Sequence, residues 1–217
     1  MNLKTLSGLT RVVMIRHGEA VVNVEEIIGG HTGCRGLTKE GMRQAELLAD
    51  RLKKTGELND EILLYASILP RAIETAEFVS AAFGGIDILK TCELCERHPG
   101  VADGLSWEEY RKDYKGNFLA GKNMERPLSP GGETYSEFCH RVKSFLFQVG
   151  EHARGKCIVL VSHGGVIEAS LVKMLEINPP ENSVMFHPKH TSITEFVVTG
   201  EHWELQRYND IAHLLYV

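Results

Sequence analysis

Two stretches of this chain end in the same way. Val12-Val13-Met14-Ile15-Arg16-His17-Gly18 and Ile158-Val159-Leu160-Val161-Ser162-His163-Gly164 are each an apolar run that stops at a polar residue, then His, then Gly. A run of four or five Val, Ile, Leu or Met residues has the length and composition of a strand covered on both faces. Such strands belong to parallel α/β sheets, which bind ligands outside the carboxyl ends of their strands. The chain therefore offers two histidines at two strand ends. One such His alone reads most simply as a hydrogen-bonded residue at a strand edge; a pair, with Arg16 beside one member, points to a shared site. The glycine after each is expected to let the backbone approach a ligand and present its N–H.

The rest of the pattern alternates helix with strand. Thr38 is placed as an N-cap, with Ala45, Leu48, Ala49 and Leu52 on one face of a helix reaching about Lys54, and Gly56 stops it. Residues 61–67 read as a second strand, and Pro70 suits the first turn of a helix running from Arg71 to about Phe83. Residues 86–89 offer a further short strand. Ser106 with Glu109, and Thr134 with Glu137, have capping-box spacing and open helices reaching about Tyr114 and Ala153. Residues 165–175 return as a helix after His163, and strands are expected at 192–198 and 204–208, with Gly200 between them. The order predicts an α/β fold: a mainly parallel sheet flanked by helices on both faces, in a single domain over residues 1–217. Residues 97–131, where Gly, Pro and charge are frequent, read as a small inserted lid or specificity lobe.

Several function classes are disfavoured. Met1 to Thr10 lacks the apolar core of a signal peptide and no run is long enough to span a bilayer, so a cytoplasmic protein without a membrane partner is expected. A formal net charge of −5 gives no general attraction for nucleic acid. The five cysteines, at 34, 92, 95, 139 and 157, are odd in number and scattered, which argues for reduced thiols rather than a disulfide framework. Cys92 and Cys95 form a CxxC with no second pair at zinc-ribbon spacing, so no metal site is expected. The histidines lie singly, without HExxH. GxSxG, the P-loop and GxGxxG are all missing. Positive charge for a phosphate must then come from side chains, and Arg16 and Arg71, at predicted strand ends, supply forks that match phosphate oxygens. Read alone, Arg71 could equally pair with Glu74 or Glu77.

Together, Arg16-His17-Gly18-Glu19 with Asn23, the segment from Ser67 to Ala76, Glu96, Gly131-Gly132-Glu133 and Ser162-His163-Gly164 resemble the histidine phosphatase superfamily, also called the phosphoglycerate mutase-like family. Leu37-Thr38-Lys39-Glu40-Gly41 matches the family's entry into its first long helix. The resemblance implies a metal-independent phosphomonoester hydrolase acting on a small phosphorylated metabolite, with His17 as a nucleophile that becomes a phosphohistidine. It implies that Arg16, Asn23, Arg71, His163 and the Gly164 N–H hold the phosphoryl group, and that Glu96, rather than Glu93, is the general acid. His17 would be neutral and His163 protonated. No cofactor is implied. A cofactor-dependent phosphoglycerate mutase is the alternative, which Glu96-Arg97-His98 favours slightly; a non-catalytic phosphate-binding protein and a metal-dependent hydrolase are less favoured. Where the family often carries an Asp before Leu-Thr, this chain reads Gly33-Cys34-Arg35-Gly36, so contacts from that loop do not carry over. Lys122, Arg126, Arg97 and His98 stand near the lobe as groups that could meet an acidic substrate. The tail from Tyr208 to Leu214 is either a closing flap or the contact of a homodimer.

Overall fold

The computed structural model describes residues 9–58, 61–114, 125–177 and 186–215. Its strands are β1 (Thr10–Arg16), β2 (Ile62–Ser67), β3 (Ile88–Thr91), β4 (Cys157–Ser162), β5 (Ile193–Thr199) and β6 (His202–Asp210). The helices are α1 (Val21–Val24), α2 (Lys39–Thr55), α3 (Pro70–Ala82), α4 (Trp107–Asp113), α5 (Tyr135–His152), α6 (Gly164–Met174) and α7 (Ala212–Leu215). One six-stranded sheet runs in the order β3-β2-β4-β1-β5-β6. The two apolar runs, β1 and β4, are its parallel centre, with Arg16 opposite Ser162. β2 and β3 continue the parallel half, while β5 and β6 add an antiparallel edge.

Alternate residues of the central strands feed opposite cores, as the two-residue period of a strand requires. Val13, Ile15, Val159 and Val161 meet Leu48 and Leu52 of α2 and Ala72, Ala76 and Val79 of α3. Val12, Met14, Ile158 and Leu160 meet Phe138, Val142 and Leu146 of α5 and Ile167 and Leu171 of α6. The mainly parallel sheet with helices on both faces is therefore present. Helix ends fall where the capping residues placed them. The Thr38 hydroxyl accepts from the Gly41 N–H at 2.9 Å, Gly56 takes the left-handed conformation that closes α2, and both capping boxes form. Strand limits shifted more. β3 starts two residues later than the apolar pattern suggests, because pairing runs from Leu64 with Ile88 to Ser67 with Thr91. β6 is longer on both sides because β5 supplies partners out to His202 and Asp210.

Within the 97–131 segment, Ala102 and Tyr110 form a small separate core with Ile28, against which Leu105, Trp107 and Leu128 pack. The Ile28 N–H donates to the Leu105 carbonyl at 2.9 Å and the Trp107 N–H to the Glu26 carbonyl at 2.9 Å, so the lobe is seated on the loop after β1. Lys122 lies outside the described residues. The tail is tied to α2 by Arg51, which pairs with Asp210 at 2.6 Å. Cys92 and Cys95 are joined by a disulfide, which corrects the expectation of reduced thiols; Cys34, Cys139 and Cys157 are free and buried. A 3-10 turn over Cys92–Leu94 brings positions three apart onto one side. Among the described residues, no helix is long and apolar enough to cross a membrane.

An ion cluster is enclosed at the antiparallel edge. Glu195 on β5 is fully buried; one carboxylate oxygen lies 2.7 Å from Arg11 Nη2 and the other 2.8 Å from Arg207 Nε. Breaking a buried pair strands a charge in a poor solvent, which costs about 3–5 kcal/mol. Glu195→Ala is expected to lower unfolding stability by that order, read from the urea midpoint. A loss under about 1 kcal/mol, the range of an exposed pair, would mean that the cluster is solvated.

Candidate active site

The register of β1 against β4 sets two side chains next to each other. His17 and His163 leave adjacent strand ends with ring centroids 5.2 Å apart, and both are buried. β2 ends beside them, and Pro70 starts α3 so that Arg71 lies in its first turn. The Arg71 Nε–H is shared between His17 Nε2 and His163 Nδ1, each at 3.1 Å, while Nη1 donates to the Gly29 carbonyl at 2.9 Å. The alternative of a helix-surface pair with Glu74 is not formed. Glu74 instead accepts the Leu37 N–H at 2.7 Å.

Hydrogen bonding fixes the tautomers. His17 Nδ1 lies 2.6 Å from the Gly18 carbonyl, which only accepts, so Nδ1 carries the proton and Nε2 keeps its lone pair. His163 accepts from Arg71 at Nδ1, so its Nε2–H donates to Ser67 Oγ at 2.8 Å. Burial pushes both imidazoles well below the usual histidine range, and Arg71 adds to the effect in each. For His17 the direction is towards the neutral form that an attacking imidazole needs. For His163, expected to be protonated around a phosphoryl group, burial and then the Arg71 and Arg16 charges favour the neutral imidazole in the protein by itself.

Arg16 shares that surplus of positive charge. Its Nη1 donates to the Pro188 carbonyl at 2.6 Å, but its buried Nε has no partner among the described residues. Burial lowers the Arg16 pKa, Glu96 opposes that, and Arg71 adds to it. An unpaired buried guanidinium nitrogen beside a second guanidinium is a site for an anion. Gly164 opens α6, whose N-terminal end adds a favourable dipole, and it lines the same cavity of about 630 Å³ as Arg16, His17, Asn23, Arg71 and Glu96. Asn23 Oδ1 accepts the Ala20 N–H at 3.0 Å, leaving its amide NH2 as the group available to the cavity. Glu96 is fixed by the Gly165 and Arg97 N–H groups, each at 3.0 Å. Arg16, His17, Asn23, Arg71, Glu96 and Gly164 thus line one cavity, with His163 buried beside His17 and bonded to Arg71, while Glu93 lies outside the lining.

The glycines differ from expectation. A Cβ on Gly18 would meet the Gly41 carbonyl at 2.5 Å, and its N–H is taken by Thr75 Oγ1 at 3.1 Å, so Gly18 serves the packing of α2 on β1. Gly164 has ordinary space for a Cβ, 3.6 Å from Arg16. Of the charged residues near the lobe, Arg97 lines the cavity whereas His98 faces His31 and Cys92. Two contributors, His190 and Glu168, went unnoticed in the sequence, and Ser67 entered it only as the start of a motif, without a role. Ser67 orients His163; His190 packs 5.8 Å from the His17 ring, its pKa lowered to about 4 by burial and Arg16; Glu168 lines the cavity, raised to about 7 by burial and by Glu96. Glu168 sits one helical turn after Gly164, the only signal that could have found it.

The family model described as histidine phosphatase superfamily (branch 1) matches residues 12–211. The chain belongs to this superfamily. It is 32% identical over 208 residues to phosphoglycerate mutase-like protein 4 of Arabidopsis thaliana, covering 94% of this chain and 86% of that one. It is 26% identical over 217 residues to a metal-independent phosphoserine phosphatase of the same plant, covering 98% and 87%. Among solved structures, phosphoserine phosphatase of Entamoeba histolytica, in complex with 3-phosphoglyceric acid, superposes with a TM-score of 0.79 at 28% identity, covering 95% of this chain and all of that one. The protein is accordingly a phosphatase of this superfamily.

The protonation pattern makes two predictions. An unfolded chain takes up histidine protons near 6.5, whereas folded His17 and His163 stay neutral well below it, so stability is full above that value and falls as pH drops. Denaturant titrations should lose roughly 2–4 kcal/mol from these two groups on going from about pH 7.5 to about pH 5, with a smaller loss in His163→Gln. Glu168 acts on ligands instead. Sulfate, whose charge is constant, should bind more weakly as pH rises through about 7, by on the order of threefold, and Glu168→Gln should remove that step in calorimetry.

Proposed function

We propose that this phosphatase hydrolyses a small phosphomonoester through a phosphohistidine on His17. The observation that carries the reading is the fixed tautomer: His17 Nε2 keeps its lone pair and faces the cavity where Arg16 and Arg71 converge. A phosphate there supplies the partner that Arg16 Nε lacks. It also gives the surrounding cations a dianion, which favours a protonated His163 once substrate is bound.

In the first half-reaction His17 Nε2 attacks phosphorus, the P–N bond forms, and the ester P–O bond breaks. Glu96 gives its proton to the leaving alkoxide. Arg16, Arg71, His163, Asn23 and the Gly164 N–H hold the phosphoryl oxygens as charge redistributes. Water then attacks the phosphohistidine, Glu96 takes its proton, and inorganic phosphate leaves with His17 neutral again.

A phosphorylated small carboxylic acid is the substrate class we favour. Arg97 lines the cavity along with Glu26, Glu168 and the apolar wall of Trp107 and Phe186, a mixture suited to a short zwitterionic or anionic metabolite. Relatives named for phosphoserine, and one bound to 3-phosphoglyceric acid, support the same class. The lobe over 97–131 is read as the lid that selects it. Of the stretch that favours a mutase, His98 is turned away from the cavity, which supports the hydrolase over the mutase alternative.

Two variants test the roles. His17→Ala should abolish an acid-labile phosphoenzyme and lower kcat by roughly 10⁴-fold or more. Glu96→Gln should slow esters with poor leaving groups by about 10²–10⁴-fold while sparing p-nitrophenyl phosphate; equal effects on both would reject Glu96 as the acid. Accumulation of 2-phosphoglycerate from 3-phosphoglycerate and 2,3-bisphosphoglycerate, without phosphate release, would establish the mutase instead.

A further inference from the structure

A second cluster of reactive side chains lies outside the cavity. His31, from the loop between α1 and α2, meets Cys92, Cys95 and His98 from the segment after β3, and one donor atom from each lies within 4.8 Å of all the others. Cys92 Sγ is 3.6 Å from His31 Nε2 and 3.5 Å from His98 Nε2. With bonds of about 2.3 Å to sulfur and about 2.0–2.1 Å to nitrogen, a tetrahedral zinc ion sets its S and N ligands about 3.5 Å apart. Two thiolates and two imidazoles are a donor set that suits zinc and not calcium or magnesium.

The surroundings are built to hold these donors. Arg141 Nη1 donates to the carbonyls of Cys92, Glu93 and Cys95 at 3.1, 2.8 and 3.1 Å. Glu133 pairs with Arg141 and accepts the His98 N–H at 3.2 Å. On the other side, the Asp103 carboxylate accepts the N–H groups of Gly30, Thr32 and Gly33, which fixes the chain on both sides of His31. Ser67 Oγ donates to Cys95 Sγ at 3.5 Å. The backbone at all four donors is thus set by charged groups from elsewhere in the fold, an arrangement typical of outer-shell support for a metal.

We propose that His31, Cys92, Cys95 and His98 bind one zinc ion when the Cys92–Cys95 pair is reduced. A thiol reductant passes two electrons and two protons to the disulfide and leaves as its own disulfide. Zinc then binds, both thiol protons pass to solvent, and the two thiolates neutralise the ion. The ion is structural, because none of its donors lines the cavity. It would clamp the loop carrying Gly29, the Arg71 acceptor, to the segment carrying Glu96. A small disulfide oxidant reverses the step: it takes the pair's two electrons and two protons from solvent, leaves as two thiols, and the ion is released.

The test uses the full chain, reduced with a phosphine under argon and freed of metal. Thiol counting on denatured samples confirms the starting states: five thiols after reduction against three with the disulfide intact. Zinc titration against a chromophoric chelator should give one equivalent bound. Cobalt should give the intense visible bands of a tetrahedral site with thiolate charge transfer, and the disulfide form should bind neither. His31→Ala, at an exposed position, keeps the fold testable if Cys92→Ser does not fold, and should weaken zinc by more than the roughly 10–100-fold typical of outer-shell changes. A reduced protein that takes up no stoichiometric zinc, a pale octahedral cobalt spectrum, affinity unchanged in His31→Ala, or a pair that reduces only on unfolding would overturn the proposal.

Discussion

One guanidinium joins the two halves of this site. Arg71 comes from α3, yet its Nε–H is shared by histidines at the ends of β1 and β4, and its Nη1 reaches the loop after β1. That position needs the whole parallel half of the sheet. β2 must lie beside β4 for Pro70 to start α3 at the right strand end, and β1 must lie beside β4 in the observed register for the two imidazoles to come within reach. Helices on both faces keep these strands dry, and the same dryness makes the charges at their ends matter.

Burial turns chemically similar residues into different tools. His17 and His163 have the same neighbour, Arg71, but His17 is protonated at Nδ1 by contact with the Gly18 carbonyl and His163 at Nε2 by contact with Ser67. One therefore keeps its lone pair at Nε2 and the other at Nδ1, both directed at the Arg71 Nε–H. Burial first, and the charge of the neighbouring guanidiniums after it, lower Arg16 along with both histidines. In the proposed reaction a phosphoryl group would meet these same charges, so recognition and catalysis would draw on the same electrostatics.

Much of the fold was legible. Thr38, Ser106 and Thr134 set helix starts because a cap is a local interaction, decided by residues within one turn. The apolar runs 12–15 and 158–161 marked the central strands because burial on both faces leaves no polar position. β3 and β6 were harder, since edge strands end where a neighbour stops pairing. Glu195 is an acidic residue in a buried strand, which nothing in its local sequence suggests; only Arg11 and Arg207, brought there by β1 and β6, make it tolerable. Cys92 and Cys95 were visible as a pair, but His31 and the seat of His98 were not, because the loop that carries His31 is placed by Asp103 from the lobe.

The sequence by itself determined the chemistry in outline. Arg16, His17, Arg71 and His163 are put at strand ends and a helix start by local pattern, because those signals are written within a few residues; their roles, and the choice of Glu96, come from the resemblance to the histidine phosphatase superfamily. Tertiary structure alone decided which nitrogen of each imidazole keeps its lone pair, that burial lowers both histidines, that Glu168 and His190 join the site, and that Gly18 serves packing. Those properties depend on distances between segments far apart in the chain and on the low dielectric they create together, and neither exists until the sheet is assembled.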